Sequence, residues 1–199
     1  MFPDFLENPS DVAAPLLLGC TLTRTITLNG EKHKLVARIV ETEAYDQDDP
    51  ASHAFGGPSE RNAAMFGPAG HLYVYVSYGM HHCCNVVCGP KGFGSGCLVR
   101  AVEPLEGVEV MRELREAGRA YKHPLKLRDL TNGPGKVCAA LSINKELYGH
   151  DLTVEPLVLG FAPLLPEETI GSSPRVGISK NIDAPKRFFI EGNAFVSRA

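Results

Sequence analysis

The sequence predicts an α+β fold, one mixed domain over residues 1–199 that is mostly strands with short helices packed around them. Three observations predict it: two strand-like stretches joined by a hairpin signal, a tyrosine-rich segment of strict alternation, and helical patterns that are all brief. The 199 residues are 44% hydrophobic and 22% charged, ordinary for a water-soluble protein and enough for a sizeable core. There is no internal repeat and no linker that would split the chain.

Asn8-Pro9-Ser10-Asp11 signals the start of a short helix within the first twenty residues. Thr21 to Leu28 and Lys34 to Tyr45 are strand-like, joined through Asn29-Gly30. In the second of these, period two puts Glu41, Glu43 and Tyr45 on the face shared with Leu35, Ala37 and Ile39. Glutamate is depleted in strands and costly to bury alone, so an acid held there is either partnered or poised as a general base. Asp46 to Gly70 is a long irregular loop, acidic at Asp46, Asp48 and Asp49, which Met65 and Phe66 pack down as a functional loop.

His71 to Tyr78 is the strongest strand, with Tyr73 and Tyr75 on one face and Val74, Val76 and Tyr78 on the other. Tyr78-Gly79-Met80 reads as a turn and His82 to Cys88 as the returning strand. Leu98 to Val102 is another short strand. Pro104 to Ala117 reads as an amphipathic helix, with a proline near its first turn and Gly118 just beyond it. Thr131 to Lys136 opens a second helix that runs to about Ser142. Val154 to Leu159 and Arg187 to Ile190 finish as strands, separated by a Pro/Gly-rich connection.

A net charge of −3 argues against a strongly basic nucleic-acid binder overall, although the field that matters is local. Between Met111 and Lys136, Arg112, Arg115, Arg119, Lys122, Lys126, Arg128 and Lys136 face only Glu113, Glu116 and Asp129. That stretch is either a positive side of the molecule or a solvated charged helix. No apolar run approaches the ~20 residues that cross a bilayer, and the N-terminus lacks a charged signal-peptide start. The six cysteines show no secreted-scaffold spacing and read as reduced, mostly buried thiols. A cytoplasmic protein is expected, or a nuclear one from a eukaryotic source.

Three clusters carry candidate chemistry. His81-His82-Cys83-Cys84 with Cys88 has the residue types of a zinc site, but neighbouring strand residues point to opposite faces, so no metal site is expected. Gly133-Pro134-Gly135-Lys136 lacks the spacing of a P-loop; it is an anion site suited to one phosphate, or a plain helix start. Tyr45, His53, Tyr75 and Tyr78 are flat, partly polar rings near Glu43. Together they suggest a stacking pocket for a flat heterocycle with a carboxylate at its rim, to which Asn85 and Arg100 would add donors.

A series of motifs runs in order along the chain. Val40-Glu41-Thr42-Glu43-Ala44-Tyr45 is followed by His53, Arg61-Asn62-x-x-Met65-Phe66, Leu72-Tyr73-Val74-Tyr75-x-x-Tyr78-Gly79-Met80 and Asn85. Leu98-Val99-Arg100-Ala101, Glu103-Pro104-Leu105-Glu106-Gly107, Gly133-Pro134-x-Lys136, Arg175-Val176-Gly177 and Arg187-Phe188 continue it. From about residue 12 to 197 the chain resembles the alkyladenine (3-methyladenine) DNA glycosylase family.

The resemblance implies a curved antiparallel sheet, an open barrel-like core with short helices around it, and a β-hairpin that inserts into DNA. It implies that Glu43 is the general base that deprotonates a water, and that Arg100 and the backbone at Val176 help to hold that water. Tyr45, His53 and Tyr75 would sandwich an extruded base. Asn85 would crowd a guanine amino group, and Leu98 would help to set the pocket's width. Tyr78 would wedge into the DNA stack, and Glu41 would be structural or a supporting partner. Lys136, Gly135 and the Arg112–Arg128 region would meet phosphates.

Water as nucleophile implies a monofunctional enzyme that needs no cofactor, forms no Schiff base and leaves an abasic site. The implied partner is double-stranded DNA carrying a damaged purine, bound by a monomer with no membrane involved. The chain departs from a strong DNA binder in lacking a long basic N-terminal tail and in its negative net charge. Two rivals are a non-catalytic module that binds damaged DNA with the same pocket, and a zinc-dependent hydrolase built on residues 81–88.

Overall fold

The computed structural model describes residues 4–118 and 120–197, so Arg119 of the basic stretch lies outside the described residues. After a 3-10 turn at Asp4–Glu7 comes helix α1 (Ser10–Leu16). Strands β1 (Thr21–Leu28) and β2 (Glu31–Asp46) form the expected hairpin. Asn29 and Gly30 both take positive φ, 52° and 85°, which matches the right-handed twist of the strands they join. β2 is the spine of the sheet. β1 lies along its first half, and β5 (Ser95–Glu106) along its other edge. β8 (Arg187–Ile190) takes up the edge again at Glu41–Glu43, where β1 has ended.

Hairpin β3 (Leu72–Ser77) and β4 (His81–Val87) extends the sheet beyond β5. β6 (Leu157–Gly160) closes the far side on β1, and β7 (Ile170–Ser173) pairs with β8. The path is β3-β4-β5-β2-β1-β6, every described pairing is antiparallel, and the sheet curls into a half-barrel. Helices α2 (Val108–Glu116) and α3 (Pro134–Ala140) pack on it.

One irregularity corrects the sequence reading. In the β2–β5 ladder Val40 and Arg100 have no direct partner, because Ile39 faces Val102, Glu41 faces Ala101 and Thr42 faces Val99. Val40 is a bulge, and two successive side chains there turn to the same side. The buried core therefore takes Leu35, Ala37 and Ile39, then Val40 and Ala44, while the Thr42 hydroxyl reaches the Ala14 carbonyl of α1 at 2.8 Å. Glu41, Glu43 and Tyr45 do not share the face of Leu35, Ala37 and Ile39. The bulge transfers them to the opposite side, which spares the apolar core two carboxylates.

Other differences concern element ends. Pro104 to Glu106 belong to β5, where the edge away from β2 has no described strand partner and so tolerates a proline. Gly107, with φ 77°, then turns the chain into α2; a Cβ there would sit 2.5 Å from the Leu35 side chain. β6 begins at Leu157, after Pro156, and β7 lies inside the Pro/Gly-rich connection, where Ile-Gly-Ser-Ser gives almost no periodic signal. The loop after β2 is seated as expected. Ala54 and Met65 form a second apolar cluster with Tyr73 and Val87, and Phe66 packs against it. Gly94 makes that seating possible, since a Cβ would fall 2.6 Å from Phe66 and 2.7 Å from Ala54.

Candidate active site

The loop after β2, the β3–β4 hairpin and the segment before β8 enclose a cavity of about 560 Å³. Glu43 lies on its wall, fully buried. Its carboxylate is well partnered: Oε1 accepts the Val176 N–H at 2.7 Å and faces Arg100 Nη1 at 3.3 Å, and Oε2 accepts the Tyr45 hydroxyl at 2.8 Å. These donors come from β2 itself, from β5 and from the segment before β8, so the carboxylate has one defined orientation. The Val176 N–H, part of the backbone that the resemblance assigns to the water, here donates to Glu43 itself.

Glu41, two residues earlier and also fully buried, has a different set of partners. Arg100 Nε lies 3.0 Å and Arg187 Nε 2.7 Å from its Oε1, and the Ser197 N–H and hydroxyl donate to it at 2.6 and 2.8 Å. It does not line the cavity, which fits the supporting role expected of it. Arg100 thus bridges both acids from its bulged position in β5. Burial works against its charge, but Glu43 and Glu41 outweigh burial and raise its pKa.

Rings line the cavity. Tyr45 carries the Arg175 guanidinium over one face, with Cζ 4.6 Å from the ring centroid. Burial, and then the Glu43 charge, push its phenol well above the ordinary range, so it remains a donor. His53 stands nearly perpendicular to Tyr75, centroids 4.5 Å apart, and its Nδ1 lies 2.9 Å from the Tyr73 hydroxyl. His53 and Tyr75 are therefore edge-packed into one wall and leave no slot between them. Burial of the ring atoms, then the charge of Arg61, lowers the His53 pKa and favours the neutral ring. Burial also raises the Tyr75 phenol and pushes Tyr73 up to about 12.

Asn85 and Leu98 face each other across β4 and β5, both buried and both on the cavity wall. Asn85 Nδ2 donates to the Tyr73 carbonyl at 3.4 Å. Tyr78, at the tip of the β3–β4 hairpin, is 84% exposed with φ 50°, and its neighbour Met80 is 74% exposed. The structure thus brings Glu43, Arg100, Tyr45, His53, Tyr75, Asn85, Leu98, Val176 and Tyr78 around one cavity.

Lys136 and Gly135 stand apart. Pro134 lines the cavity, but Lys136 folds back onto Asn132 Oδ1 at 2.6 Å, and Gly135 packs against His81. Burial, then Arg115, lowers the Lys136 pKa. The basic stretch is also less free than its count suggests. Arg115 is buried with Nε on the Leu130 carbonyl, Arg112 reaches the Leu125 carbonyl and Glu109, and Arg128 pairs with Asp129. Lys122 and Lys126 remain exposed. Cys83 turns to the cavity while Cys84 enters the main core, as alternation requires. Burial, then Cys84, pushes the Cys83 thiol up to about 11. Among the described residues no three His, Cys, Asp or Glu side chains converge as a metal site, and no helix is long and apolar enough to cross a membrane.

Sequence reasoning left several wall and support residues without a role. Tyr73 and Met65 line the cavity, and Arg175, Asp49, Arg187 and Ser197 hold its parts together. Alternation with Tyr75 signalled Tyr73. Met65, Arg175 and Arg187 stand in the motif series, but nothing local signalled the contacts they make, since Arg175 meets Tyr45 across 130 residues of sequence.

The model of one family, methylpurine-DNA glycosylase, matches residues 4–194. A protein of Nitrosospira multiformis is 46% identical over 98% of this chain and 92% of its own length. One from Agrobacterium fabrum is 51% identical over 80% of this chain and 77% of its own, and one from Carboxydothermus hydrogenoformans is 43% identical over 94% and 93%. Each bears the provisional name 3-methyladenine DNA glycosylase.

Proposed function

This chain belongs to the methylpurine-DNA glycosylase family, and from that premise we propose that it excises alkylated or otherwise damaged purines from duplex DNA. The observation that carries the reading is Glu43, a fully buried carboxylate held by three donors on the wall of a ring-lined cavity. The reaction hydrolyses the N-glycosidic bond. A water attacks the sugar C1′ and gives its proton to Glu43, the bond to the purine nitrogen breaks with its electron pair, and an abasic site remains. The transition state has oxocarbenium character, which a nearby carboxylate stabilises.

The target base cannot be reached inside the stack, so the nucleotide is turned out into the cavity at a cost of about a few kcal/mol. Tyr45 on one side, and the His53–Tyr75 pair on the other, receive the ring. Cationic alkylated purines gain about 0.5–2 kcal/mol from each electron-rich face. Asn85 and Leu98 limit what fits at the cavity's depth, and Arg100 keeps Glu43 aimed. Tyr78 fills the gap left in the stack. Its exposure at a turn tip suits that role, because a wedge must be uncovered before DNA arrives.

Lys136 and the backbone at Gly135 meet a phosphate of the damaged strand, which requires Lys136 to leave Asn132. The enzyme acts as a monomer on double-stranded DNA, and the exposed Lys122 and Lys126 add to the electrostatic attraction.

Single-turnover excision by Glu43→Gln, on a duplex carrying one alkylated purine, tests the assignment. The expected loss is about 10²- to 10⁴-fold with binding retained. Undiminished excision would remove Glu43 from the chemistry. A wild-type protein that binds the damaged duplex and never releases a base would be a binding module instead.

A further inference from the structure

Behind Tyr45, away from the cavity, lies a charged assembly to which the glycosylase reading gives no part. The Arg175 guanidinium covers one face of the ring at 4.6 Å. It is buried and donates to the Ala44 carbonyl at 2.8 Å, and its Nη1 lies 2.7 Å from Asp49 Oδ2. Asp49, also buried, faces Lys186 Nζ at 3.6 Å and accepts from Asn181 Nδ2 at 3.2 Å and the Ala51 N–H at 3.0 Å. Lys186 is shared with Asp46 Oδ2 at 4.0 Å. Asp46 at the end of β2 and Asp49 in the loop after it thus balance two cations of the segment before β8, behind one wall of the cavity and outside its lining.

An aromatic ring attracts a cation through its electron-rich face. A second cation on the far face draws that density away and repels the first through the ring. Arg175 alone would therefore turn Tyr45 into a poor platform for a positively charged purine and leave stacking of a neutral one little changed. Asp49, in contact with the same guanidinium, cancels most of its field. We infer that the Asp49–Arg175 pair is a specificity device that lets Tyr45 accept cationic purines by neutralising the charge behind its ring. The inference rests on the glycosylase reading and adds to it a residue pair that touches neither substrate nor water.

The test compares single-turnover excision of 7-methylguanine, which is cationic, with that of hypoxanthine or ethenoadenine, which are neutral, in the same duplex sequence. Asp49→Asn keeps shape and removes the balancing charge. It is expected to lower the cationic-to-neutral ratio by about fivefold to thirtyfold, the span given by a unit charge at this range under partial screening. The charge-balanced double variant Asp49→Asn/Arg175→Gln is expected to restore the ratio, even where it slows both lesions. Lys186→Gln, a substitution at a partly exposed site, removes one of the two cations and is expected to raise the ratio; it decides the matter if Asp49→Asn does not fold. A parallel fall for both lesion types in Asp49→Asn, with no recovery in the double variant, overturns the inference, as does an unchanged ratio in Lys186→Gln. Wild type that releases no base of either kind would overturn the glycosylase reading instead.

Discussion

The Tyr45 hydroxyl donates to Glu43 Oε2 at 2.8 Å, two residues along the same strand and on the same face. One wall ring of the cavity and its buried carboxylate are therefore a single hydrogen-bonded unit. The proposed stacking platform and the proposed general base are held in register by the pleat of β2. A substitution that spares the ring and removes the hydroxyl separates the two roles.

Tyr45→Phe should keep affinity for damaged duplex and slow excision by about tenfold to 150-fold, the loss of one hydrogen bond to a charged group. Titrated binding and single-turnover rates, measured side by side, check this. Equal weakening of both would mean that the hydroxyl only supports the ring.

Glu41→Gln should act on the fold. Arg100, Arg187 and Ser197 all donate to Glu41, so an amide NH₂ would face donors, leaving buried Arg187 without its anion and Arg100 with Glu43 alone. Urea unfolding is expected to show a loss of about 3–5 kcal/mol. Unaltered stability would contradict the anchoring role.

Tyr78→Ala removes an exposed side chain and should change stability by less than about 0.5 kcal/mol. Affinity for a damaged duplex should fall and become more sensitive to salt, because phosphate contacts would carry a larger share of binding. Unchanged affinity would exclude the wedge.

The pH dependence of stability follows from Asp49. Burial tends to raise its pKa, but the bonds from Arg175, the Ala51 N–H and Asn181 prevail and lower it below the ordinary aspartate value. A depressed folded-state pKa means stability that is complete above the unfolded pKa and lost as pH falls through the folded one. Unfolding free energy should therefore decline below about pH 4, and less steeply in Asp49→Asn. Identical slopes in the two proteins would show that Arg175 does not hold Asp49 ionised.

Much of the site was legible because it is local. Glu43 and Tyr45 sit in one strand, Tyr73 and Tyr75 in another, and Tyr78-Gly79-Met80 announces its turn through Gly79, which takes positive φ at no steric cost. The motif series fixed their order along the chain, and one family's model matches almost all of it. What failed did so where a local pattern was read further than its physics reaches. Pro104 looked like a helix start, yet it pairs with Ala37 in β5.

By itself the sequence determined which residues are candidates for the chemistry and that they ride on paired strands, because hydrophobic period and turn chemistry act over a few residues. Only the tertiary structure decided which way the acids face. Period two put Glu41 and Glu43 with the core side chains; the Val40 bulge, formed against β5, turned them to the other side. It likewise decided that Arg100 bridges both acids, that Val176 closes on Glu43 and that Arg175 backs Tyr45. Those contacts join segments as much as 133 residues apart. Their energies depend on burial and geometry that exist only once the sheet has curled.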